Sequence, residues 1–178
     1  TRPAFGCGWE RWPWAFLMAS ILLTGIGSSA YHLAPTDASL FWDRLPLTFT
    51  LSAVLGIVIL ERIDPRRGGR LFVPIVLAGL ASLMFGDLRG DLRLYGLFQG
   101  ASILGVVLML ALYRSRYPGT PLLAAAAALY GLGKVFEFTD GAVYRATGFV
   151  SGHTLKHLVA GGAAALLLLL LRRRIPCS

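Results

Sequence analysis

Charge is scarce in this sequence. Only 15% of its 178 residues are Asp, Glu, Lys or Arg, and carboxylates number nine, where a soluble domain carries about 25% charged residues. With 56% of residues hydrophobic and a mean hydropathy of +0.66, that shortfall argues against a water-soluble globular chain. Cysteine is scarcer still. Cys7 and Cys177 stand at opposite ends of the chain, so there is no disulfide framework and no CxxC metal motif, and both read as reduced thiols. Strand-like alternation of polar and apolar residues is also missing, which argues against a β-barrel. Histidine occurs three times, at His32, His153 and His157, and each falls at the edge of a hydrophobic run.

Those runs dominate what is present. Six recur, over residues 12–29, 45–60, 71–85, 94–113, 121–138 and 151–171, each near the length that crosses a bilayer core. The third is short for a span, and Pro74 and Gly79 blur its limits. The expected fold is all-α: a polytopic transmembrane helical bundle with six spans in this chain. Short connections such as Ala34-Pro35-Thr36-Asp37-Ala38 and Asp64-Pro65-Arg66-Arg67-Gly68-Gly69 leave no internal boundary, so residues 1–178 read as a single domain. Trp9, Trp12, Trp14 and Trp42 near the span ends read as interfacial anchors.

The net charge of +8 points to topology and away from nucleic acid. With six alternating spans, one face receives Arg2, Arg11, the arginines of the loops near residues 62–70 and 114–116, and Arg172, Arg173 and Arg174. The other face carries equal numbers of basic and acidic groups. The whole excess lies on one side, as expected of a cytoplasmic face. The C-terminus is therefore expected in the cytoplasm. His32 ends the first run, Asp43 precedes the second and His153 and His157 open the last, so all lie towards the opposite face.

Ionisable groups in spans are costly and mark functional sites. His153 and His157 are spaced i, i+4 and share a helix face, so two imidazoles can address one ion. His32 would add a third ligand, and three imidazoles plus water is a catalytic zinc arrangement, though imidazole also suits other transition metals. A pair of histidines bonded to neighbouring helices is the structural alternative. Ser28 is one turn before His32 and shares its face; alternatively its hydroxyl bonds a carbonyl one turn back. Asp43, ahead of Arg44-Leu45-Pro46, reads either as a catalytic carboxylate or as the N-cap of the second helix. Lys134, Glu137 and Asp140 form a further polar cluster, read as a structural ion pair at the membrane interface, with headgroup binding as the alternative.

Gly27-Ser28-Ser29-Ala30-Tyr31-His32, Asp43 with Leu45-Pro46, and Ser151-Gly152-His153-Thr154-Leu155-Lys156-His157 together resemble the alkaline ceramidase family. That family belongs to a superfamily of seven-helix membrane hydrolases that includes the progestin and adiponectin receptors. Its pattern is Ser-x-x-x-His on an early helix, an Asp opening the next, and His-x-x-x-His on the last. The chain departs from it in three ways. Arg44 stands where the family usually has Glu after the Asp. Six spans are present, so the resemblance implies a further helix before Thr1. The stretch Cys7-Gly8-Trp9-Glu10 is too poor in carboxylates for the acidic calcium-binding segment of eukaryotic members.

The resemblance implies a zinc-dependent amidohydrolase of sphingolipid metabolism, cleaving a ceramide-like N-acyl lipid within the membrane. His32, His153 and His157 would hold Zn2+, Asp43 would act as general base, and Ser28 would steady the oxyanion by a hydrogen bond or orient the water. The alternative is a lipid-sensing, receptor-like protein with a structural zinc site, for which the opposite membrane orientation is expected. A rhomboid-type serine protease is disfavoured because Ser28 is followed by Ser29 and not Gly.

Overall fold

The structure, a computed structural model, describes Phe5 and residues 8–174. Arg2, Cys7 and Cys177 lie outside the described residues. A short 3-10 turn, Gly8–Glu10, precedes seven α-helices: α1 (Arg11–Leu33), α2 (Asp37–Arg62), α3 (Pro65–Arg89), α4 (Arg93–Leu112), α5 (Thr120–Phe138), α6 (Asp140–Thr147) and α7 (Gly152–Arg172). All except α6 are long and apolar enough to cross a membrane, and no strand occurs among the described residues. The chain is an all-α, polytopic integral membrane protein. Two differences from the sequence reading concern helix limits. The third span is a full 25 residues, because Pro65 occupies the first helical position, where a missing N–H costs nothing, and the helix continues through Pro74. The eight-residue α6 was not anticipated.

Two compact bodies divide the chain. One ends at Arg116 and holds α1 to α4; the other begins at Tyr117 and holds α5 to α7. In the first, α2 packs against α1, α3 and α4, and half of its most apolar stretch is buried, against about a sixth in the other spans. The ring of Phe16 on α1 packs between Phe49 of α2 and Phe72 of α3, at 5.5 and 5.6 Å between centroids. Gly68 has no side chain because the backbone of Leu60 occupies that space. Helices in lipid gain little from hydrophobic burial against each other, so small residues and close fit must hold them. Leu22, Ile26, Leu97 and Leu104 correspondingly face outwards, as suits contact with acyl chains.

Hydroxyls on α1 and α2 serve mainly their own helices, and those of Thr24 and Thr50 also approach each other at 3.5 Å. Ser20, Thr24, Thr48, Thr50 and Ser52 each donate to the carbonyl four residues back, at 2.7 to 3.0 Å. At the arginine-rich end, Arg62 is buried and its Nη1 donates to the Tyr113 carbonyl at 2.5 Å, while the Arg116 N–H donates to the Glu61 carbonyl at 3.2 Å. An arginine that counts towards topology thus also ties α2 to the end of α4.

The second body is an antiparallel pair, α5 and α7, with α6 between them in sequence. Its arginine-rich end closes with Arg174, buried over the ring of Tyr117 at 3.6 Å, a cation–π contact.

Candidate functional site

In the first body the site residues gather where α1 ends and α2 begins. The start of α2 overturns one reading of Asp43. The helix begins at Asp37, with Thr36 as N-cap: the Ser39 N–H donates to Thr36 Oγ1 at 3.1 Å and the Thr36 N–H to Ser39 Oγ at 2.9 Å. That reciprocal capping box satisfies the helix's first donors. Asp43 is two turns inside, so it caps nothing, and Pro46 stands within the helix and not at its start. The turn signals at Pro35 and Thr36 were readable, but the hydrophobic run begins only at Leu45 and drew the boundary inwards.

Pro46 has a second consequence. A proline offers no N–H to the carbonyl four residues back, here that of Trp42. A Cβ on Gly27 would lie 2.6 Å from this same Trp42 oxygen and 3.4 Å from the Asp43 Cα. With only hydrogen at Gly27, α1 can lie against the turn that carries Asp43. Ser28 follows directly in the chain, and His32 is one turn further along α1. Ser28 and Asp43 are half-buried and His32 is exposed, its ring beside that of Tyr31 at 5.5 Å. Ser29, not Ser28, donates back to a carbonyl, that of Gly25, at 2.8 Å. Neither the Ser28 hydroxyl nor the Asp43 carboxylate has a hydrogen-bond partner among the described residues. Neither side chain is therefore explained by its own helix.

In the second body, His153 and His157 lie on the first two turns of α7. Their Nε2 atoms are 3.0 Å apart and their rings meet edge to face, 4.7 Å between centroids. Ser151 is the N-cap of this helix, accepting from the Thr154 N–H at 3.1 Å. The His153 N–H donates to Asp140 Oδ1 on α6 at 2.7 Å. A Cβ on Gly152 would run into the Phe136 carbonyl and lie 2.8 Å from the Asp140 Cα. Glu137 accepts from Lys134 at 2.7 Å and from Lys156 of α7 at 3.4 Å.

The expected Lys134–Glu137 ion pair is present, extended by Lys156. Asp140, grouped with that cluster from the sequence, instead supports the backbone of α7. Its signal was the pattern Asp140 to Gly148: an acidic residue opening, and a glycine closing, a short helix. Gly152 had a weaker signal, a glycine between an N-cap serine and the first histidine.

No protein-family model, curated protein or solved structure matches this chain.

The donor chemistry fits a transition metal on the α7 side. Two nitrogens each about 2.0–2.1 Å from a tetrahedral zinc are about 3.3 Å apart. The observed 3.0 Å between Nε2 atoms is a hydrogen-bond distance and is also close to that spacing, so the pair suits either a bond between the two imidazoles or a shared ion.

Proposed function

We propose that this chain is a membrane-embedded, zinc-dependent hydrolase that cleaves the amide bond of a ceramide-like N-acyl lipid, giving a fatty acid and a sphingoid-like amine. The observation that carries the reading is the convergence of His153 and His157 Nε2 at 3.0 Å. His32, the remaining histidine of the sequence, is the proposed third ligand; by alternation of the spans it belongs to the same membrane face as the pair. The ceramide-like substrate rests on the resemblance of the three motifs. Support for a reaction, beyond mere metal binding, comes from Ser28 and Asp43, two half-buried polar groups that do no capping and no back-bonding.

Zinc, when bound, lowers the pKa of water towards about 7 and polarises a carbonyl. The chain's own groups do the rest. Asp43 takes the proton of the attacking water at a carboxylate oxygen and returns it to the amide nitrogen as the C–N bond breaks. Ser28 donates a hydrogen bond to the developing oxyanion or orients the water, and keeps its proton. Apolar outer faces leave the spans in contact with lipid, so the substrate arrives sideways from the bilayer. The site is proposed to face away from the cytoplasm. A cysteine introduced at Asp37 is then labelled from outside by an impermeant reagent, and labelling from the cytoplasm alone overturns that orientation.

The deciding measurement is the zinc content of the purified protein beside fatty-acid release from a panel of N-acyl lipids. About one zinc per chain is expected, lost on replacing His32, His153 and His157 by Ala together. Stoichiometric zinc in that triple variant would refute the ligand assignment. Zinc and lipid binding without cleavage would replace the hydrolase by a lipid sensor with a structural metal.

A further inference from the structure

The first two turns of α7 carry both histidines of the pair, and polar bonds to Asp140 and Glu137 tie these turns to the preceding elements. We propose that Asp140 is the positioning residue of the His153/His157 pair: through the backbone of His153 it fixes where, and at what rotation, α7 presents its two imidazoles. This rests on the metal-site reading above. Asp140 is not itself a ligand in this arrangement.

Three observations carry it. The Asp140 carboxylate accepts the N–H of His153 itself at 2.7 Å, so the bond acts on the residue whose ring must be aimed. This N–H is one of the first-turn donors that a helix cannot satisfy internally, and a negative charge there also complements the positive end of the helix. Ser151 takes the neighbouring Thr154 N–H, so the turn is gripped from both sides. Next, Gly152 lets this turn seat against the Phe136 carbonyl and the Asp140 Cα, which places the carboxylate beside its donor. Finally, Asp140 is the first residue of α6, a helix that buries none of its eight residues. Where α6 meets this turn it does so at Asp140, through the carboxylate and through the Cα beside Gly152. Slippage of α7 by one residue would swing both imidazoles by about 100°, away from any shared ion.

The alternative is that Asp140 is only a helix-stabilising acceptor. Full-chain protein in detergent micelles separates the two, using Asp140→Ala and Asp140→Asn. Asn keeps an acceptor oxygen, and at helix N-termini it serves about as well as Asp. In metal-free protein, Asp140→Ala is expected to speed hydrogen exchange of the α7 first-turn amides by roughly tenfold or more, the scale of losing a charge-assisted hydrogen bond. Exchange in α5 and in the rest of α7 stays unchanged, and Asp140→Asn restores most of the protection.

Zinc affinity is then read by competition with a chromophoric chelator. Asp140→Ala is expected to weaken it roughly 10–100-fold, the usual cost of losing an outer support of a metal site, with recovery in Asp140→Asn. Unchanged first-turn exchange in Asp140→Ala overturns the proposal. So does an unchanged zinc affinity despite faster exchange, because Asp140 would then steady the helix without aiming the ligands. Wild-type protein that binds no zinc overturns the function proposed above. The positioning of the turn is still decided by the exchange measurement.

Discussion

The two bodies differ in how polar residues contribute to the meeting of their spans. In the first, the hydroxyls of Ser20, Thr24, Thr48, Thr50 and Ser52 bond to carbonyls of their own helices. Helices meet largely by shape, Gly27 against Trp42 and Phe16 between Phe49 and Phe72, with a 3.5 Å approach of the Thr24 and Thr50 hydroxyls and the Arg62 bond to Tyr113 beside it. In the second, polar groups bond between elements: the His153 amide to Asp140, and Lys156 to Glu137. A hydroxyl bonded one turn back satisfies itself in lipid and leaves its helix free to slide or rotate. A bond between helices specifies register. Ser28 and Asp43 follow neither rule, nor does the buried hydroxyl of Ser102 on α4, although unsatisfied polar groups are costly in a membrane; the function proposed above gives Ser28 and Asp43 their role.

The sharpest test of this contrast is Asp43→Asn. Because Thr36 and Ser39 cap α2, the change leaves the fold and the histidines in place. Turnover of an N-acyl lipid should still fall by roughly 10²–10⁴-fold, the scale of lost acid–base assistance. Near-normal turnover in a zinc-loaded variant would remove Asp43 from the chemistry. Next in size is Gly152→Ala, whose Cβ meets the Phe136 carbonyl. It should destabilise the α5–α7 pair by about 1–3 kcal/mol, as overpacking does, in unfolding titrations from micelles. Gly161→Ala on the same helix, where the new Cβ meets open space, should cost nothing or stabilise slightly, so equal effects at the two sites would deny the close approach.

Smaller effects divide the two kinds of polar contact. Glu137→Gln removes the charge that Lys134 and Lys156 share. Since Glu137 is more than a third exposed, screening should keep the loss of stability within about 1 kcal/mol. Thr48→Val, which deletes a bond within one helix, should cost about 0.6 kcal/mol or less and leave register untouched. A greater loss at Thr48 than at Glu137 would break the comparison between the bodies.

The smallest effect belongs to Asp91, at the turn between α3 and α4. Its hydrogen bonds to Arg93 hold its pKa down to about 2, below the ordinary value near 3.9. A carboxyl depressed on folding contributes stability above its unfolded pKa and loses it as pH falls towards about 2. Thermal unfolding followed from pH 5 to pH 2 should therefore show a slight loss in wild type that Asp91→Asn lacks. Added salt should shrink it, because the pair is open to solvent. A difference that persists at neutral pH but does not change with acid would assign it to turn geometry instead.

Much of this was legible in residue order. Long apolar runs declare spans because a helix is the local way to satisfy backbone groups in lipid, and the i, i+4 spacing of His153 and His157 declares a shared face by helical geometry alone. Asp43 shows where such reading fails. Hydropathy marks where a span becomes apolar, whereas the helix starts where a cap satisfies its donors, eight residues earlier than the run that begins at Leu45.

By itself, then, the sequence determined the all-α membrane class, the number of long spans and the histidine pair, since all three follow from composition and from spacing along one helix. Only the tertiary structure decided that Asp43 is no cap, that Gly27 and Gly152 are contact points, and that Asp140 accepts the N–H of His153. Each of these depends on what one segment meets on another. Neither a glycine's missing side chain nor a carboxylate's choice of donor can be read from neighbours along the chain.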